Sequence, residues 1–160
     1  VICPGRPVQT EERLTECDYG TWSGTTLKAL AEEPLWETVQ RTPSRARFPD
    51  GESLTEMSTR AVAAIRDWDA RVGQEHGSDA VWLAVSHGDV IKAVLADAFG
   101  MHLDLFQRIV VDPASASIIR YTANGPMVLG TNISGREFTS LLPAAETGPG
   151  DEAVVGGRDA

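Results

Sequence analysis

Cysteine is scarce in this sequence: Cys3 and Cys17 are the only two in 160 residues. Their spacing matches no metal-binding or redox motif, so both read as reduced thiols in a cytoplasmic protein. Long apolar runs are missing, which excludes a bilayer-spanning helix, and no stretch has the pattern of a signal peptide. Positive charge is also short. Fourteen Lys and Arg stand against 23 Asp and Glu, a formal net charge of −9, which speaks against nucleic acid or an acidic membrane as partner. A small phosphorylated substrate stays open, because the local field of a pocket can oppose the global one. The three histidines, His76, His87 and His102, lack the spacing of metal ligands, which argues against a metal site; no cofactor is expected. No Gly-x-Ser-x-Gly elbow occurs, which argues against a serine hydrolase. The Asn132-Ile133-Ser134 triplet fits a glycosylation acceptor, but such triplets are common by chance.

What remains fits one domain with a real core: 42% of residues are hydrophobic and 23% charged, ordinary for a globular protein. Residues 1–13 read as an extended lead-in and 14–24 as a loop punctuated by Gly20 and Gly24. Short helices are expected over Thr26 to Glu33 and Leu35 to Arg41, split by Pro34, and a loop over 42–52. Ser53-Leu54-Thr55-Glu56 is a capping box opening a long helix. Its buried stripe would be Leu54, Met57, Ala61, Ile65, Trp68 and Val72, and Gly73 or Gly77 would end it. The apolar run 80–85 is too short for a typical helix and reads as a central strand buried on both faces. A second helix is expected from Asp89 to Phe99, with Val90, Ile91, Val94, Leu95, Ala98 and Phe99 inward and Gly100 beyond its end. Apolar segments follow at 109–111, 115–121 and 126–131, with Asn124-Gly125 as a hairpin turn. Residues 143–160 are small, acidic and glycine-rich, and read as a disordered tail after a domain spanning 1–142. There is no internal repeat. This alternation supports the α/β class.

The sharpest chemical signal is Val85-Ser86-His87-Gly88. An apolar run stops at Ser-His-Gly and a helix starts at once. In open α/β sheets ligands bind where strand ends meet helix beginnings, and a helix N-terminus favours an anion. His87 and Gly88 therefore mark an anion-handling site.

Two further segments join it: Leu14-Thr15-Glu16-Cys17-Asp18-Tyr19-Gly20-Thr21-Trp22-Ser23-Gly24 and Phe48-Pro49-Asp50-Gly51-Glu52-Ser53. In order and rough spacing the three resemble the histidine phosphatase superfamily, which includes the phosphoglycerate-mutase-like enzymes, over residues 8–133. The resemblance implies a three-layer α/β/α sandwich with a mostly parallel sheet. It implies phosphoryl transfer through a phosphohistidine, with no metal. It assigns Glu16 as the acid that protonates the leaving oxygen and then activates water, and His87 as the second histidine holding the phosphoryl oxygens. Tyr19 and Gly88 become substrate contacts, although Tyr19 and Asp18 also suit plain local packing. Trp22 reads as the loop's anchor, the Glu52-Ser53 pair as helix capping, His76 as a C-terminal cap and His102 as loop surface.

The chemistry explains these residue types. A phosphate ester repels nucleophiles, so donors must neutralise the charge that shifts in the transition state. Imidazole attacks at neutral pH and leaves again once phosphorylated. An alkoxide leaves poorly, so a protonated carboxyl beside it contributes roughly 10²–10⁴-fold.

The sequence departs from the family at one place. The Arg-His-Gly motif with the nucleophilic histidine is absent, and the pattern puts it before residue 1. The later arginine-bearing segment is absent too. With an opening at Val1 rather than Met, the chain reads as a histidine phosphatase lacking its N-terminal strand and helix, so that 80–85 would expose an edge meant for pairing. Phosphomonoester hydrolysis is favoured over mutase activity, because Thr26-Leu27 stands where glycolytic mutases carry Asn-Lys. The alternative is a non-catalytic relative, a phosphometabolite sensor or scaffold. The expected partner is a small phosphorylated molecule, and a homo-oligomer is compatible with the sequence.

Overall fold

The structure is a computed structural model and describes residues 8–134. Cys3, the start of the lead-in, the boundary at 142 and the 143–160 tail lie outside the described residues. The fold is α/β. Four α-helices are found among the described residues: α1 (Leu27–Leu30), α2 (Pro34–Arg41), α3 (Leu54–His76) and α4 (Gly88–Ala98). One antiparallel hairpin joins them, β1 (Ala116–Thr122) to β2 (Gly125–Ile133).

Local sequence explains the helix ends. The Thr26 hydroxyl accepts from the Ala29 amide to start α1, which lasts a single turn rather than reaching Glu33. Pro34 starts α2 at its first position, where its missing N–H and fixed φ are tolerated. At α3 the Ser53 side chain accepts from the Glu56 amide and the Glu56 side chain accepts from the Ser53 amide, the full capping box. The helix runs past Gly73 and ends at Gly77, whose φ of 94° suits a residue without Cβ.

The core lies where α3 meets α4. Leu54, Met57, Ala61, Ala64 and Ile65 face Val90, Ala93, Val94 and Leu95, with Phe106 beneath them. Trp68 and Val72 are only half-buried, and Phe99 is 50% exposed. In α4 Val90, Val94 and Leu95 are buried as expected, joined by Ala93 and Ala96, while Ile91 and Ala98 are half-buried. An aromatic cluster ties in the loops: the Phe48 ring lies 5.0 Å from Tyr19 and 5.3 Å from Trp22, both edge-on. Trp22 is buried, as an anchor should be.

Two expectations need correction. Residues 80–87 form no strand among the described residues. A strand needs a hydrogen-bonding neighbour, and none of the described segments lies beside it. Trp82 and Ala84 pack toward the core, while Val81, Leu83 and Val85 are 96%, 61% and 60% exposed, so the segment is buried on one face rather than two. The sheet formed among the described residues, β1 with β2, is antiparallel, where the resemblance implied a mostly parallel one. The hairpin expectation holds with a small shift. Thr122 pairs with Gly125, so the reversal falls on Ala123-Asn124. The Asn132 amide nitrogen donates to Asp112 at 3.1 Å, which engages the group a glycan would need.

Candidate active site

Residues 11–16 lie strapped across α3. The Glu11 carboxylate accepts from the Arg13 amide and guanidinium and, at 2.9 Å, from the Trp68 indole N–H. Arg13 in turn donates to Asp67 at 2.6 Å. Farther along, Arg60 takes hold. Its Nη1 donates to the carbonyls of Arg13 (2.7 Å) and Thr15 (2.9 Å), and its Nη2 to that of Glu16 (3.0 Å). Its remaining donors form a fork on the Glu52 carboxylate, Nη2 at 2.5 Å and Nε at 3.0 Å. Between these, the Leu14 carbonyl accepts from the Ser86 hydroxyl at 2.7 Å. Four successive carbonyls, 13 to 16, thus accept from two side chains.

The loops behind this strap interlock. Thr21 N–H donates to the Pro49 carbonyl, and Glu52 N–H to the Asp18 carbonyl, both at 3.0 Å. The approach leaves no room for side chains at two positions. A Cβ on Gly20, whose φ is +53°, would collide with the Pro49 carbonyl, and one on Gly51 with that of Asp18. Glu52 belongs to this knot and not to helix capping, since its Oε1 also accepts from the Asp18 amide at 2.9 Å. The capping role falls to Ser53 and Glu56.

Glu16 is half-buried, and its Oε1 accepts from the Cys17 amide at 2.9 Å. Burial raises its carboxyl above the ordinary carboxylate range. Asp89 pushes the same way, while the Cys17 N–H, His87 and Lys92 oppose. Tyr19 is buried, and its hydroxyl donates to Asp89 Oδ2 at 2.9 Å. Burial first, and Asp89 next, hold that phenol well above its usual range. Lys92 Nζ lies 3.5 Å from Asp89 Oδ1 and donates to Gln107 Oε1 at 3.2 Å.

His87 is the N-cap residue of α4, exposed, with no side-chain bond to the first turn. Gly88 begins that helix, and a Cβ there would meet nothing within 4 Å. The structure therefore brings Glu16, Tyr19, His87 and Gly88 to one end of α4. Sequence reasoning missed Arg60, Glu52, Asp89 and Lys92. Asp89 and Lys92 could have been found from the helix period, which puts positions 89 and 92 on one face beginning at Ser-His-Gly. The other histidines sit elsewhere. His76 is the exposed last residue of α3. His102 is more than loop surface, for its Nδ1 accepts from the Asp104 amide at 3.2 Å and starts the turn Leu103–Arg108. Among the described residues no three His, Cys, Asp or Glu side chains cluster as metal ligands would, and no helix is long and apolar enough to cross a membrane.

Comparison with known proteins decides the family. The description of the histidine phosphatase superfamily (branch 1) matches residues 3–134. The chain belongs to the histidine phosphatase superfamily. Among curated relatives, phosphoserine phosphatase 1 of Hydrogenobacter thermophilus is 28% identical over 127 residues, 78% of this chain and 57% of the relative. Glucosyl-3-phosphoglycerate phosphatase of Mycolicibacterium vanbaalenii is 31% identical over 108 residues, 62% of this chain and 46% of the relative. This superfamily member thus spans about half the length of those two relatives. In fold it is similar to the phosphoserine phosphatase of Entamoeba histolytica solved with 3-phosphoglyceric acid. The TM-score is 0.69 at 18% identity, covering 84% of this chain and 66% of that one.

Proposed function

We propose that this superfamily member hydrolyses a small phosphomonoester by phosphoryl transfer through histidine, with Glu16 as proton donor and acceptor and His87 as a ligand of the phosphoryl oxygens. In the first step the P–O bond to the leaving group breaks as a P–N bond forms to an acceptor imidazole, and the Glu16 proton passes to the departing oxygen. In the second, Glu16 carboxylate takes a proton from water as its oxygen attacks phosphorus and the P–N bond breaks. These 160 residues contain no Arg-His-Gly, the motif that the resemblance makes the carrier of the acceptor imidazole.

One observation carries the reading: a half-buried carboxyl, raised above its usual range by that burial, lies in the field of His87 at the start of α4. A donor needs such a carboxyl, since it keeps its proton closer to neutral pH. The α4 amides beside His87 have no side-chain cap, and free helix N-terminal amides suit phosphate oxygens. Relatives named as phosphatases accord with hydrolysis, others are named probable phosphoglycerate mutases, and the preference for hydrolysis rests on Thr26-Leu27. The phosphoserine phosphatase among the relatives suggests a small phosphorylated metabolite as substrate. The absence of Arg-His-Gly favours one other reading, a phosphometabolite sensor without turnover.

The test is phosphate release from p-nitrophenyl phosphate by the gene's product, expressed with whatever in-frame coding sequence precedes Val1. Steady turnover that falls about 10²–10⁴-fold in Glu16→Gln supports the reading. Turnover unaffected by that change rejects the role of Glu16. Phosphate binding with no turnover supports the sensor.

A further inference from the structure

We propose that Arg60 is a positioning residue for Glu16, its guanidinium acting as the frame that sets where the Glu16 carboxylate stands against His87. The inference rests on the role proposed for Glu16 and adds the residue that holds it. Arg60 makes no contact with His87 and has no place in the chemistry itself.

The geometry is specific. A guanidinium has five N–H donors in a fixed plane and no acceptor. Here five hydrogen bonds leave it, three to the carbonyls of residues 13, 15 and 16 and two to Glu52. The Glu16 carbonyl is one of those acceptors, so the backbone of the proton donor itself is held. Glu52 fixes the plane of the fork, and its other bond, from the Asp18 amide, fixes the chain on the far side of Glu16. The pair is well shielded, with side chains 23% and 17% exposed, and Arg60 is held further toward the charged form by Glu52. Arg60 is rooted in the second turn of α3, whose neighbouring residue Ala61 is buried in the core. A lysine has one point charge and no fork, so it cannot replace this pattern.

This arrangement differs from ordinary stabilisation. A structural tie anywhere on the strap would hold the fold. Only a tie on 13–16 also sets the depth of the Glu16 carboxyl, and with it the carboxyl's exposure to water and its distance from Asp89 and Lys92 of α4, from His87 at the α4 N-cap, from the Tyr19 hydroxyl and Cys17 thiol beside it, and from the Arg60 charge itself. Misplacing a reacting group by about 1 Å can lower a rate on the order of 10²-fold.

The experiment, made in the same gene product as the turnover test above, compares Arg60→Lys, Arg60→Met and the double variant Arg60→Met/Glu52→Gln, which leaves no buried unpaired carboxylate if the single change unfolds the protein. Two readouts are taken: the titration of the Glu16 carboxyl carbon by NMR, assigned by its loss in Glu16→Gln, and kcat and KM against pH for p-nitrophenyl phosphate. The expected result in Arg60→Lys, which keeps the positive charge but loses the fork, is a Glu16 carboxyl that titrates closer to its ordinary range. In Arg60→Met the lost cation pushes the same carboxyl up, so its titration moves away from that of Arg60→Lys. In both, kcat is lowered about 10–100-fold, with a KM near that of the wild type and a shifted basic limb. Lower thermal stability with Glu16 titration and the pH profile unmoved would overturn the proposal. The outcomes separate it from the functional reading. A shifted Glu16 titration in a protein whose turnover ignores Glu16→Gln leaves the positioning role standing and removes the catalytic one. Loss of turnover in Glu16→Gln with kcat untouched in a folded Arg60→Met does the reverse.

Discussion

The Ser86 hydroxyl donates to the Leu14 carbonyl at 2.7 Å, joining two segments 72 residues apart. Ser86 precedes His87, and Leu14 stands two residues before Glu16. One hydrogen bond thus spans the two halves of the proposed site, on a carbonyl between two of those that Arg60 holds. Neither bond reaches a reacting atom. Together they hold the backbone of residues 13–16, next to Glu16, and the segment next to His87.

Ser86→Ala deletes that bond without adding bulk. The Leu14 carbonyl then loses a half-buried donor, so thermal or urea unfolding should show a loss of about 1 kcal/mol. Turnover of p-nitrophenyl phosphate by the gene product used for the turnover test should fall as well, through kcat more than KM. Unchanged stability and unchanged kcat would mean the strap holds its place without Ser86.

Acid should act on the fold through carboxylates outside the site. Glu11 is lowered from its ordinary 4.5 to about 2, chiefly by hydrogen bonds from Arg13, and Glu56 likewise, chiefly by Arg47. Between those values the unfolded chain binds more protons than the folded one, so the stability they supply is present above pH 4.5 and is lost as pH falls through about 2. Glu16 has the opposite sign, because burial raises it: its neutral form favours the fold, and that contribution fades as pH rises past 4.5. Urea midpoints against pH should therefore fall steeply on the acid side in the wild type and less steeply in Glu11→Gln. In Glu16→Gln the midpoints should hold up better above pH 4.5. Equal slopes in all three proteins would contradict these assignments.

Much of the helical frame could be read from the sequence, because capping and packing stripes are local. Ser53 and Glu56 are three residues apart, and Leu54, Met57, Ala61 and Ile65 share one face of the helix they start. The family could be read from Glu16, Tyr19, Gly20, Trp22 and Ser86-His87-Gly88, whose order survives without coordinates. The strand expected at 80–85 was not fixed by those residues. Pairing is non-local, and an apolar run cannot say whether a neighbour lies beside it. Arg60 was hidden for a related reason, since three of its partners are backbone carbonyls, which every residue has. Glu52 looked like half of a cap because it precedes Ser53, and its tie to Arg60 emerges only once the helix turns back over residues 13–16.

The unpaired run has a consequence in solution. Val81, Leu83 and Val85 are exposed and pair with no strand among the described residues, and an apolar unpaired edge favours association with another chain. The 160-residue chain should therefore form larger species as its concentration rises, seen by light scattering, and Leu83→Lys should suppress them with little effect on helical content. A monodisperse monomer at every concentration, indifferent to Leu83→Lys, would contradict this.

The measurement that bears most directly on the account is a titration of inorganic phosphate into isotopically labelled protein, following the Glu16 carboxyl carbon and the His87 imidazole by NMR. The account predicts that both signals move along one saturation curve, and that Glu16→Gln alters the affinity read from His87. Two unrelated curves, or movement of one signal while the other stays fixed, would show that the two residues do not serve a single phosphate site.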